Sequence, residues 1–132
     1  MGQPAAKQGD RIVATDIHIV MVPSPGGPVP TPLPHPFAGI IDEGLSGDVT
    51  IMGMPAATVD SSADNISPHI PTPPGTAFQS PPANKGTIKA GSQTVKINGK
   101  AAARNGDVAS TCNDPSDLPV GTVVAAGTVF IG

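Results

Sequence analysis

The chain has no tryptophan and no tyrosine, and only three of its 132 residues are phenylalanine. Its hydrophobic core must therefore be built mainly from Val, Ile, Leu and Ala, which bury less area than aromatic side chains. A thin core of this kind usually depends on a metal ion, a crosslink or a partner surface. An internal disulfide is excluded, because Cys112 is the single cysteine. Cys112 is then a buried side chain, a reactive thiol or a metal ligand.

Strong charge and long apolar runs are also lacking. The net charge is −3, and no basic surface interleaved with aromatics is visible, which argues against nucleic acid as a partner. No apolar run approaches the ~18 residues of a membrane span, so we expect no stable membrane insertion. The first residues show neither a basic segment nor an apolar one, so we expect synthesis in the cytoplasm without a signal peptide.

Proline and glycine are abundant, with 17 and 16 residues respectively. They recur too often to leave room for a long helix, because both residues destabilise helix interiors. The low charge and plentiful Val, Ile and Ala are nonetheless unlike disordered chains. These features predict a single all-β domain over residues 1–132.

Three stretches share one pattern, namely a short strand, a glycine, a Pro/Ala-Ala-Ala segment and an aspartate. They are residues 49–60 (VTIMGMPAATVD), residues 95–107 (VKINGKAAARNGD), and residues 128–132 followed by 2–10 (TVFIG, GQPAAKQGD). The third copy is complete only if the two chain ends meet. The pattern therefore predicts adjacent termini and an approximate three-fold arrangement. The predicted repeats extend over 128–132 plus 2–18, 49–69 and 95–112.

Each motif has a local structural meaning. Val, Ile, Thr and Phe favour strands, and Gly53, Gly99 and Gly132 follow them where a tight hairpin turn requires glycine. Asn98-Gly99 is the strongest of these turn signals. The small residues that follow the turns indicate close packing near a shared axis, although they also suit turn flanks.

Two proline-rich segments, residues 21–37 and 68–82, interrupt the repeats. Proline removes backbone donors and favours polyproline-like paths. In the first segment Val29, Leu33 and Phe37 recur every four residues, so we expect it to drape over the β-core rather than act as a flexible linker.

The histidines and the cysteine have related places in the repeats. His18 lies eight residues after Asp10, His69 nine after Asp60 and Cys112 five after Asp107, whereas His35 lies in the first proline-rich segment. One ligand from each repeat, with a fourth on the axis, would complete a tetrahedron. Four protein ligands are typical of a closed, structural zinc site, and this donor set suits zinc better than Fe²⁺.

The repeated segments resemble the proline-alanine-alanine-arginine motif of PAAR-repeat proteins. The resemblance is carried by Pro4-Ala5-Ala6, Pro55-Ala56-Ala57, Ala101-Ala102-Ala103-Arg104, Ile97-Asn98-Gly99, the Gly-Asp pairs at 9–10 and 106–107, and residues 127–132. Residues 21–37 look like the insertion of PAAR-like variants in contractile tail machines. Only the repeat at residues 95–112 has the arginine, and it lacks the proline; Lys7 and Thr58 stand at the arginine position in the others.

The resemblance implies a small cone of short β-hairpins that sits as a monomer on the end of a trimeric β-helical spike, inside an injection particle delivered outside the cell. It also implies one zinc ion held by three histidines and one cysteine, which here are His18, His35, His69 and Cys112. A monomeric cap with three similar faces would cover the strand edges of a trimer. The residues expected to face the spike are Val49, Ile51, Val95, Ile97, Val129 and Ile131.

Two other functions stay open on the sequence. A small zinc hydrolase would need a general base beside an open metal position, and Asp10, Asp60 and Asp107 are the candidates. Turn formation accounts for these aspartates more simply, so we expect no enzyme. The chain could also be an adaptor for a separately encoded effector. The machine could be a phage tail, a type VI secretion system or an extracellular injection particle, and the proline-rich insertion favours the extracellular particle.

Overall fold

The computed structural model describes residues 2–132, and strands are the only regular elements within them. This confirms the predicted all-β class. The thirteen strands of the described residues are β1 (Gln3–Pro4), β2 (Arg11–Val22), β3 (Val29–Glu43), β4 (Thr50–Ile51), β5 (Met54–Pro55), β6 (Ser62–Asn65), β7 (Ala77–Phe78), β8 (Lys85–Ile88), β9 (Lys96–Ile97), β10 (Lys100–Ala101), β11 (Val108–Thr111), β12 (Leu118–Val124) and β13 (Phe130–Ile131).

Six of the longer strands form one closed antiparallel ladder. Their order is β12-β11-β8-β6-β3-β2, and β12 also pairs with β2. After each repeated motif the chain supplies two of these strands, β2 and β3, then β6 and β8, then β11 and β12. Closing the ladder protects strand edges that would otherwise be open to pairing with other chains.

Three short hairpins precede these strands, one for each motif. They are β13 with β1, β4 with β5, and β9 with β10. In the first, Ile131 pairs with Gln3 and Phe130 with Pro4, so the two ends of the chain lie side by side. The other two hairpins turn through Met52-Gly53 and Asn98-Gly99, where both residues have positive φ. Consecutive positive φ values are characteristic of the two-residue turn that matches strand twist.

The alanine ring, which we define as Ala6, Ala57 and Ala103, joins the three motifs. The Ala57 N–H donates to the Ala6 carbonyl (3.0 Å), that of Ala103 to Ala57 (3.1 Å), and that of Ala6 to Ala103 (2.9 Å). The three residues have no exposed surface. Backbones can approach this closely only where side chains are small, which explains the alanines of the motif.

In the second repeat, the residue equivalent to Asp10 and Asp107 lies one position later than the sequence predicts. The Asp10 and Asp107 carboxylates accept hydrogen bonds from the backbone N–H groups of Lys7 (3.0 Å) and Arg104 (2.7 Å). In the second repeat the equivalent acceptor is the Ser61 hydroxyl, which bonds the Thr58 N–H at 2.9 Å. The predicted equivalence of Asp60 is therefore wrong by one residue. Asp60, with φ of 78°, instead occupies the positive-φ position of Gly9 and Gly106.

The first proline-rich segment also differs from expectation. Residues 29–37 all belong to β3 and pair with β2, so they form a long β-hairpin rather than a polyproline-like cover. The prolines occupy every second position of the strand, namely Pro30, Pro32, Pro34 and Pro36. N–H groups at alternate positions of a strand point to the same side, so these prolines can all face the side away from β2. Their placement blocks an edge that would otherwise invite further pairing.

Buried apolar side chains form two clusters. The larger one fills the closed ladder and includes Ile12, Phe37, Ile41, Ile88 and Val123. The smaller one lies among the short hairpins and consists of Ala5, Ile51, Ala56, Ile97, Ala102 and Ile131. None of the described residues lies in a helix long and apolar enough to span a membrane.

Candidate functional site

The inner face of the β2–β3 hairpin changes from apolar to polar beyond the core. Ile12 and Phe37 belong to the core, and the next inward residues are Asp16 and His18 on β2 and His35 on β3. Asp16 and His18 share a face because alternate residues of a strand point the same way. The ladder register places Asp16 directly opposite His35. The alternation of side chains along β2 and β3 therefore places three polar side chains in the protein interior.

The loop after β6 and the end of β11 complete the donor cluster, which we define as Asp16, His18, His35, His69 and Cys112. The rings of His18 and His69 are 5.1 Å apart between centroids, and the His35 ring lies 5.4 Å from His18 and 5.5 Å from His69. Asp16, His18, His69 and Cys112 each present a donor atom within 4.8 Å of the others. The structure thus brings together the four residues predicted as metal ligands and adds Asp16.

His18 is the member whose environment most clearly fits a metal ligand. Its side chain is 1% exposed, and neither ring nitrogen has a hydrogen-bond partner in the described structure. The nearest carboxylate oxygen, Oδ2 of Asp114, is 3.4 Å from Nδ1. Buried polar atoms are nearly always satisfied, and one that is not requires an explanation such as a bound ion.

Hydrogen bonds hold His69 in place. Its backbone N–H donates to Oδ1 of Asn84 (2.8 Å), and its Nδ1 lies 3.4 Å from the Asn65 amide nitrogen. The other ring nitrogen, Nε2, is 2.8 Å from Oδ2 of Asp16. Outer partners of this kind fix the tautomer and orientation of metal-binding histidines.

The Cys112 thiol lies 3.4 Å from the same oxygen of Asp16. Burial, and then the nearby Asp16 charge, raise the pKa of Cys112 to about 11. The thiol is therefore protonated and inert without an ion, and metal binding would displace its proton. A cavity of about 310 Å³ lies against His18 and Cys112, between residues 79–83 and 112–117.

His35 has a different set of partners. Its Nδ1 lies 2.9 Å from the Leu33 carbonyl oxygen, and its Nε2 accepts the Thr72 backbone N–H at 3.1 Å. Burial lowers the pKa of His35, so the neutral ring is favoured. These bonds fasten the second proline-rich segment to the β2–β3 hairpin.

The donor set fits a structural metal ion, because zinc accepts sulfur, imidazole nitrogen and carboxylate oxygen in tetrahedral sites. Sequence reasoning missed Asp16, Asn65 and Asn84. A signal was present for Asp16, which precedes His18 by two residues and so shares its face of the strand.

The aspartates considered for catalysis lie elsewhere. Asp10 and Asp107 bond their own turns and form ion pairs with Lys7 (3.2 Å) and Arg104 (2.8 Å). Asp60 is exposed and lies 3.5 Å from the Lys100 ammonium. Asp10 and Asp107 therefore stabilise turns, as the sequence predicts.

The six residues predicted to face a partner fall into two classes. Ile51, Ile97 and Ile131 are 6–7% exposed and belong to the smaller apolar cluster. Val49, Val95 and Val129 are 36–40% exposed. Each valine lies two residues before one of these isoleucines and immediately precedes the strand that carries it. We call these six residues the Val–Ile face.

The comparisons with known proteins agree with this architecture. The family model described as PAAR motif matches residues 79–132, which contain the repeat at residues 95–112 with Cys112. No curated protein matches the chain. Residues 79–132 therefore carry a PAAR motif, and the repeated Pro/Ala-Ala-Ala segments and the buried donor cluster agree with that match.

Proposed function

We propose that this protein caps the blunt end of a trimeric β-helical spike as a single copy and sharpens it for penetration of a target envelope. The observation that carries the proposal is the repetition of contacts around the alanine ring. A monomer with three equivalent hairpins can meet three identical spike chains in three equivalent ways. The Val–Ile face, with one Val and one Ile from each repeat, is the surface proposed to meet the spike.

The chemistry of the Val–Ile face supports this role. Exposed apolar side chains clustered on one surface of a small protein mark interaction sites. Met52, Met54 and Phe130 are 54%, 38% and 60% exposed and belong to the same short hairpins. Burial of such side chains against a trimer end would also cover the free edges of the short strands.

The proposed metal is one zinc ion with a structural role. His18, His69 and Cys112 would hold it, with the fourth position taken by His35 or Asp16. An ion there would tie the β2–β3 hairpin to the loop that carries His69 and to the end of β11. When bound, zinc would crosslink these elements and so stabilise a fold whose core has few aromatic side chains.

Co-purification with the trimeric spike protein of the same machine tests the cap. We expect one cap for every three spike chains by native mass measurement. Val95→Lys should weaken binding by about tenfold or more, because a charge would be desolvated in an apolar contact. The matched control is Val120→Lys, because Val120 is 46% exposed on β12 and lies outside the short hairpins.

Equal numbers of cap and spike chains, or unchanged binding by Val95→Lys, would contradict the proposed docking. The alternatives of a zinc hydrolase and an effector adaptor predict other results. A hydrolase would show turnover that Cys112→Ser abolishes. An adaptor would bring a separately encoded effector into the purified particle.

A further inference from the structure

The far part of the β2–β3 hairpin and the segment that packs on it contain no Asp, Glu, Lys or Arg. We call residues 19–36 and 66–83 together the distal end. All seven Lys and Arg residues and all ten Asp and Glu residues lie outside it, although it makes up more than a quarter of the chain. Its two histidines, His35 and His69, are buried in the donor cluster. Charged residues make up about 25–35% of a typical soluble surface, so their absence here is informative.

Apolar side chains are exposed at the distal end instead. Ile70 is 77% exposed, Ile66 51% and Val29 48%. Prolines occupy most of the exposed positions between residues 23 and 36. The surface of the distal end is therefore uncharged and largely apolar.

Both edges of this part of the hairpin are occupied. On β3, the prolines at alternate positions remove the N–H donors that would face away from β2. On β2, the Ile19 N–H donates to Oδ2 of Asp114 (2.8 Å), and the Ile19 carbonyl accepts the Gln79 N–H (2.9 Å). The Met21 carbonyl accepts the Thr76 N–H at 2.9 Å. This arrangement argues against a protein partner that adds a strand to the hairpin.

Most hydroxyl groups of the distal end are also satisfied within it. Four of its six hydroxyls donate to backbone carbonyls of residues 19–36, namely those of Ser24, Thr31, Thr72 and Thr76. Removing water from a free donor or a charge is costly, whereas polar groups that are bonded internally lose much less. The distal end thus meets the requirements for a surface that enters a medium without water.

We propose that the distal end is a lipid-contacting surface, which enters the hydrocarbon region of a bilayer reversibly. Hydrocarbon offers no partner to a charge, and the distal end presents none. A few exposed apolar side chains support reversible membrane contact rather than permanent anchoring, in keeping with the expected absence of stable insertion. The inference rests on the proposed spike-cap function and deepens it, because it names the component of the envelope that the cap contacts.

Flotation of the full chain with vesicles of uncharged phosphatidylcholine tests this contact. We expect binding at about millimolar lipid, with no dependence on salt concentration. Replacing both Val29 and Ile70 by Asp should weaken binding by about tenfold or more, because two charges would have to leave water. The matched control replaces Val108 and Val124 by Asp. These valines are 42% and 45% exposed on β11 and β12, outside the distal end, and their replacement should change binding by less than about twofold.

A single tryptophan can report the depth of the contact, because the chain has none of its own. In Ile70→Trp we expect blue-shifted emission with vesicles and quenching by lipids brominated on their acyl chains. No binding at about 10 mM lipid, binding only to anionic vesicles, or equal weakening in the two double variants would overturn the inference. Co-purification with the spike does not involve the distal end, so any of these results would leave the spike-cap function intact.

Discussion

The short hairpins around the alanine ring and the donor cluster are built on different principles. In the ring, the same backbone hydrogen bonds occur once in each repeat, and the alanines are required only to be small. In the donor cluster, the side chains differ between repeats: Asp16 and His18 lie on β2, His35 on β3, His69 in a loop and Cys112 at the end of β11. The comparison teaches that repeated backbone contacts create the three-fold frame, while donor side chains that are not the same in every repeat create the candidate metal site.

The largest expected effect comes from enlarging a residue of the alanine ring. Ala57→Leu would force the three backbones apart, because Ala57 is fully buried and its N–H and C=O both bond across the ring. We expect a loss of about 3 kcal/mol or more in the free energy of unfolding, measured by urea denaturation. The control Ala77→Leu, at an exposed strand position, should change stability by about 0.5 kcal/mol or less. Comparable losses in both variants would contradict the assigned role of the ring.

Removal of the metal should destabilise the donor cluster much more than the alanine ring. An ion present at about 1,000 times its dissociation constant stabilises the folded state by about 4 kcal/mol, and a chelator should remove that contribution. Hydrogen exchange is the sharper measurement. The backbone N–H of His69 should exchange faster after chelation, whereas those of Ala6, Ala57 and Ala103 should keep their protection. Equal loss of protection in both places would mean that the ring depends on the ion.

The smallest expected effect comes from a substitution that would make the three repeats more alike. The hydroxyls of Ser46 and Ser92 each accept two backbone N–H groups, those of the residues two and three positions later. Ala126 occupies the same position before the β13–β1 hairpin and has no hydroxyl. Ala126→Ser should raise the free energy of unfolding by about 1 kcal/mol, and Ser92→Ala should lower it by a similar amount. A destabilising Ser92→Ala without any gain from Ala126→Ser would contradict the equivalence of the β13–β1 hairpin in this turn.

Much of the frame could be predicted because its causes are local. Strand-forming residues followed by Asn98-Gly99 or Met52-Gly53 specify a hairpin wherever they occur, and three copies specify a ring. The register of the second repeat could not be predicted by matching letters. A serine hydroxyl there accepts the N–H that aspartate accepts elsewhere, so Ser61, not Asp60, is equivalent to Asp10 and Asp107. With Ser61 as reference, His18 and His69 both lie eight residues further along the chain.

The donor cluster was predicted less completely, because histidine and cysteine suggest a metal ligand from the sequence more readily than aspartate does. Asp16 becomes visible only when β2 is recognised as a strand, since its side chain then shares a face with His18. The same step explains the prolines of β3. Their spacing of two residues is the period of a strand, and it marks positions whose N–H groups are not needed for pairing with β2.

The pairing of β13 with β1 has a consequence for how the gene can be rearranged. Because Ile131 and Gln3 are ladder partners, the break in the backbone at that hairpin lies where the other two motifs have a continuous turn. A rearranged chain should therefore keep the fold when a short linker joins Gly132 to Gly2 and the backbone is opened at Asn98-Gly99. The order of the segments along the chain would change, while the arrangement of the three motifs in space would not.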